Sequence, residues 1–92
     1  MSQQDPQFDP ELKQTKIFWH SRRGMLELDL LLVPFANEAY ESLSVEDKRL
    51  YRDFLAEEDQ DLWSWLMRRA EPSEPRFHDI IEQILAHKAT AG

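Results

Sequence analysis

The 92-residue sequence predicts an all-α fold, a compact bundle of five short helices. Three observations carry that prediction. Apolar residues recur at intervals of three and four along nearly the whole chain, which is the spacing of one helix face. No alternating apolar and polar run is long enough for a strand. Finally, 41% hydrophobic and 11% aromatic content is too apolar for a disordered acidic chain, while the length allows only one core.

The elements follow in order. Residues 1–10 hold Pro6 and Pro10 among polar side chains and are expected to form a flexible leader. A single helical domain is expected over 11–88, with a flexible tail at 89–92. The first helix is predicted from Glu11 to Arg22, with Leu12, Thr15, Lys16 and Trp19 on one face and Ile17 and Phe18 beside them. Arg22 and Arg23 suit the negative end of that helix, and Gly24 suits the residue just past it. In the second helix, Met25, Leu28, Leu32, Phe35 and Ala39 form a stripe that Leu26, Leu30 and Val33 widen. Burial on more than one side is therefore expected, with a kink or short break at Pro34, which lacks a backbone donor.

Ser44 is placed to cap a third helix by accepting from the amide of Asp47. Its inner face is expected to be Leu50, Tyr51, Phe54 and Leu55. Asp59 or Asp61 is expected to cap a fourth helix carrying Leu62, Trp63, Trp65 and Leu66 and ending at Arg68 and Arg69. Trp63 and Trp65 cannot share a face two residues apart, and Trp63 is expected in the core, stacked with Leu66. Ser73-Glu-Pro75 opens a fifth helix, proline being tolerated in a first turn. Its stripe is Phe77, Ile80, Ile81, Ile84 and Leu85.

Composition removes most function classes. Eighteen acids against eleven Lys and Arg give a formal charge of −7, which argues against nucleic acid and anionic lipid as partners. No apolar run is long enough to insert into a membrane. Cysteine is absent, so no thiol nucleophile, disulfide or thiolate metal site exists. His20, His78 and His87 are far apart and make no zinc-binding spacing. The acids of Glu57-Glu-Asp-Gln-Asp61 lack the glycine and terminal glutamate of a calcium loop, and suit a helix N-terminus. With two glycines there is no phosphate-cradling loop. The serines lack a nucleophile-elbow context. No catalytic residue, metal ligand or stably bound cofactor is expected.

One junction stands apart. In Arg22-Arg-Gly-Met-Leu-Glu27, Gly24 serves as a helix C-cap and Arg23 can pair with Glu27 on the surface for about 0.3 kcal/mol. That account does not explain why a bare glycine stands between a guanidinium and a carboxylate. A residue without a side chain admits a partner's backbone or a flat ligand, and the flanking charges give it directional contacts.

At these residues the chain resembles the SdhE-like flavinator family of succinate dehydrogenase assembly factors, marked by an R-G-x-x-E motif. Here the motif reads Arg23-Gly24-Met25-Leu26-Glu27 within Ile17-Phe-Trp-His-Ser-Arg-Arg-Gly-Met-Leu-Glu-Leu-Asp29. The resemblance continues through Val33-Pro-Phe35, Tyr40-Glu-Ser-Leu43 and Leu62-Trp-Ser-Trp-Leu-Met67, and covers roughly Lys16 to Leu85. It implies a non-enzymatic five-helix protein. A monomer is expected when free, and the absence of a transit-peptide pattern favours the bacterial cytoplasm. The partner it implies is the flavoprotein subunit of succinate dehydrogenase or fumarate reductase. It further implies that the protein promotes covalent attachment of FAD to a histidine of that subunit, the FAD belonging to the partner. Carried onto this chain, Arg23, Gly24 and Glu27 are expected to face the flavoprotein, with Arg22 and Asp29 as further members of the surface. The alternative is a helical regulatory or adaptor module, antitoxin-like, with a different protein target.

Overall fold

A computed structural model describes residues 12–91, so the leader expected at 1–10 lies outside the described residues. Five α-helices run in order: α1 (Gln14–Ser21), α2 (Leu26–Glu38), α3 (Val45–Leu55), α4 (Asp59–Leu66) and α5 (Phe77–Ala91). A single 3₁₀ turn, Tyr40–Ser42, joins α2 to α3. Among the described residues there is no strand, and the all-α bundle is as expected.

The first helix is shorter than predicted and its inner face is different. Ile17 and Ser21, four apart, are fully buried, whereas Trp19 is 64% exposed. Residues two apart lie on opposite sides of a helix, so burying Ile17 sends Trp19 outward. Ser21 is buried because its hydroxyl is satisfied: Oγ donates to the Ile17 carbonyl at 2.8 Å and lies 2.7 Å from the Tyr51 hydroxyl. With its hydrogen spent on Ile17, Ser21 accepts from Tyr51, tying α1 to α3.

Helix α2 turns one face inward. Leu28, Leu31, Leu32, Phe35 and Ala36 are buried against α1, α4 and α5. Leu26 and Leu30 are 68% and 66% exposed, which corrects the expectation of burial on more than one side. Among the described residues no neighbouring helix covers the side they occupy. The helix passes through Pro34 without a break. The missing donor faces the carbonyl of Leu30, an exposed residue, where water can take its place.

The other half of the bundle is aromatic. Leu50, Tyr51, Phe54 and Leu55 of α3 are buried as predicted, and Ser44 caps the helix with an Asp47 N–H to Oγ bond of 3.0 Å. Helix α4 is capped differently: Glu58 holds the N-cap position without a side-chain bond, and Asp59 lies inside the first turn. Trp65, not Trp63, enters the core; Trp63 is half-buried. The reason is Phe77, against which the Trp65 ring stacks at 6.0 Å while Phe54 meets it edge-on at 5.6 Å. Offset and edge-on pairs of this kind add about 0.5–1.5 kcal/mol beyond their buried area. Pro75 belongs to the turn ahead of α5, whose buried stripe is Phe77, Ile80, Ile81 and Ile84.

The corner between α1 and α2

Helix α1 ends abruptly. Arg22 leaves it in extended conformation (φ −83°, ψ 113°), its N–H reaching the Trp19 carbonyl at 3.3 Å. Met25 is also extended, at φ −106° and ψ 114°, so the link into α2 is an open bend. Gly24 does not adopt positive φ, so it is not the left-handed cap expected for a glycine past a helix end. A Cβ placed on it meets nothing within 4 Å. Neither the backbone nor the packing of this chain requires glycine there.

Arg23 holds the corner in place from inside. Its guanidinium reaches across to the α3–α4 connection, donating from Nε to Asp59 at 2.7 Å and from its terminal nitrogens to the carbonyls of Leu55 at 2.8 Å and Glu57 at 2.9 Å. A further bond goes back to the His20 carbonyl at 3.0 Å. Four of its five N–H groups are thereby used. The carbonyls of Leu55 and Glu57 lie at and just beyond the end of α3, where backbone acceptors lack helical partners, and a cation is favoured there. The expected surface pair with Glu27 is not what the side chain forms: at 17% exposure it is folded against its own chain. Asp29, in the first turns of α2, accepts from the Arg23 backbone N–H at 2.6 Å and fixes the bend from the other side.

What faces outward is the remainder. Arg22, Gly24 and Glu27 are exposed. Arg22 lies over the Trp19 ring with its guanidinium carbon 5.8 Å from the centroid. Trp19, Leu26 and Leu30 are the large exposed apolar residues among those described, and all three fall within twelve positions around Gly24. Leu26 and Leu30 are one turn apart on α2, so they stand side by side. Helical periodicity alone places all three on apolar helix faces. The available signal was an excess: α2 carries more leucines than one buried stripe can use. Asp59 was read only as a helix cap, and the carbonyls of Leu55 and Glu57 have no side-chain signature at all.

The corner offers recognition rather than turnover. It presents apolar side chains, one guanidinium, one carboxylate and an unshielded stretch of backbone. Among the described residues there is no group of three or more side chains placed to hold a metal. No helix among the described residues is long and apolar enough to cross a membrane. Among the described residues the side chain shifted most strongly is Tyr51, whose phenol is pushed upward by burial and stays protonated. It sits in the core, not at the corner.

The corner is thus an exposed apolar and charged surface, clamped from within by Arg23 and Asp29 on a small helical bundle. The chain belongs to the family described as the flavinator of succinate dehydrogenase, whose model matches residues 15–88. It is 48% identical over 77 residues to the FAD assembly factor SdhE of Pseudomonas aeruginosa, covering 84% of this chain and 89% of that one. The protein of the same name from Pseudomonas putida is 50% identical over 70 residues, 76% and 83% of the two chains. A more distant relative of that name, from Photorhabdus laumondii, is 44% identical over 69 residues, 75% and 78% of the two. These matches do not favour the antitoxin-like alternative.

Proposed function

We propose that this chain is an assembly factor that binds the flavoprotein subunit of succinate dehydrogenase and promotes covalent attachment of FAD to a histidine of that subunit. The observation that carries the reading to a site is Gly24: a glycine that the described fold does not need, with exposed Trp19, Arg22, Leu26 and Glu27 close to it in sequence. Flavin transfer takes place on the flavoprotein, and the FAD remains with it. The helper therefore needs only to bind one arrangement of its partner more tightly than the others. That arrangement is one in which the acceptor histidine is aligned with the flavin ring.

The partner-facing residues are Arg22, Gly24 and Glu27. Arg23 and Asp29 serve the same surface from within, by fixing the bend on which those three stand. The work is done in the bacterial cytoplasm, a reading supported by the bacterial relatives. The test is Gly24→Arg co-expressed with the flavoprotein subunit, with covalently held flavin read as in-gel fluorescence. The position is open, so the variant folds, and the fluorescence is expected to vanish. Undiminished fluorescence with a folded variant overturns the assignment of the site.

A further inference from the structure

Beside the corner lies a groove of about 440 Å³ between the end of α1 and the end of α3. Its walls are Trp19, His20, Arg22, Arg52, Leu55 and Ala56, with Arg23 at its edge. No carboxylate lines it, although the whole chain carries a net charge of −7. The charges within it are not equivalent. Arg23 is neutralised by Asp59 at 2.7 Å, and Arg52 leans on Asp53 at 3.3 Å. Arg22 has no ion-pair partner among the described residues and lies against the exposed Trp19 ring. Two of the carbonyls at the end of α1 are already occupied, Trp19 by the Arg22 N–H and His20 by Arg23.

From this geometry we infer that the groove seats an acidic peptide segment of the flavoprotein, with an Asp or Glu side chain paired to Arg22 and an apolar neighbour on Trp19. The inference rests on the function proposed above and names the chemistry of the surface that function uses. One uncompensated guanidinium between apolar walls matches one carboxylate, which it can hold through two parallel bonds. It does not match a pyrophosphate, whose two charges call for a second free cation or a row of backbone amides. Paired arginine and tryptophan are the residue types that most often dominate binding at protein interfaces.

The experiment measures the affinity of the full chain for the purified flavoprotein subunit at low and at physiological salt. Arg22→Gln is expected to weaken binding about tenfold and to flatten its salt dependence. Trp19→Ala is expected to weaken it by a similar factor while leaving the salt dependence in place. Both side chains are exposed, and unchanged helical content by circular dichroism verifies folding. A photoreactive phenylalanine analogue at position 19 then identifies the contact, and the cross-linked partner peptide is expected to contain Asp or Glu. Wild-type affinity retained by Arg22→Gln, or a cross-linked peptide without an acid, overturns the groove while Gly24→Arg still tests the function separately. Quenching of free FAD by the wild-type chain that Arg22→Gln abolishes also overturns it, since the occupant is then the cofactor's phosphate. Failure of the wild-type chain to bind the subunit overturns the function itself.

Discussion

Two helices of this protein are followed by a pair of arginines, Arg22-Arg23 after α1 and Arg68-Arg69 after α4, and the chain treats the two ends in opposite ways. After α4, Arg68 takes up a left-handed conformation at φ 58°. Its N–H bonds the Trp65 carbonyl at 3.1 Å, and that of Arg69 bonds the Ser64 carbonyl at 2.8 Å. Those two bonds make a Schellman cap, which closes the helix with its own backbone. After α1, Arg22 runs extended instead, and the bend is held by side chains: Asp29 accepting from the Arg23 N–H, and Arg23 itself reaching to α3 and α4. Glycine is the residue suited to a left-handed cap, yet it stands at the corner that has none, while arginine bears the cost at the corner that does. The difference teaches where the constraint comes from. At α4 the fold sets the conformation; at α1 the fold leaves Gly24 unconstrained, as the proposed contact with a partner requires.

The largest effect expected from this contrast separates two adjacent arginines. Arg23→Ala removes four hydrogen bonds and leaves Asp59 without its partner, and is expected to cost about 2–4 kcal/mol in urea denaturation. Arg23→Lys recovers only part of that, because an ammonium cannot reproduce a planar fork aimed at three separate carbonyls. Arg22→Ala, next in sequence, is expected to stay within about 0.5 kcal/mol of wild type, as an exposed residue without an ion pair does. Equal losses at the two positions break the comparison, for the corner is then not held from inside by Arg23.

Behind the corner, Tyr51 links α1 to α3 through Ser21, and its hydroxyl also lies 3.4 Å from the Leu32 carbonyl of α2. Tyr51→Phe is expected to cost about 1 kcal/mol near neutral pH. Burial raises its phenol above the ordinary tyrosine value, so the folded chain keeps the proton where the unfolded chain loses it. The stability this contributes is complete below about pH 10 and declines as pH rises past that value. Denaturation midpoints measured across alkaline pH are expected to fall less steeply for Tyr51→Phe than for wild type. Parallel curves would mean that the phenol is not held protonated by the fold.

The all-α class, the Ser44 cap, the inner face of α3 and the stripe of α5 were legible in the sequence because each is a local pattern. A cap depends on residues three apart, and a stripe on one helix's own period. The corner was legible only as a motif. Its glycine and charges were visible, but the sequence could not say that Arg23 turns inward, since two of its four acceptors are backbone carbonyls more than thirty residues away. Trp19, Leu26 and Leu30 were misassigned for a related reason. Periodicity reveals an apolar face, but not whether another helix covers it. Trp63 and Trp65 were exchanged because the deciding contact, Phe77, lies on another helix.

The smallest expected effect concerns the other Arg pair and returns to the misplaced glycine. A left-handed conformation costs a residue with a side chain roughly 1–2 kcal/mol, and Arg68 bears that cost. Against it stands an exposed ion pair with Glu82 at 2.7 Å, worth a few tenths of a kcal/mol up to about 1. Arg68→Gly should therefore stabilise the fold by about 0.5 kcal/mol, seen as a small rise in the thermal midpoint, and should leave covalent flavin attachment unchanged. Gly24→Ala should also raise the midpoint slightly, because the site is open and alanine restricts the unfolded chain. Only Gly24→Ala should change the affinity for the flavoprotein, since only there does the added methyl group meet something outside the chain. Two glycine exchanges of similar size and sign in stability, with opposite consequences for binding, separate a glycine needed by the fold from one kept for a partner.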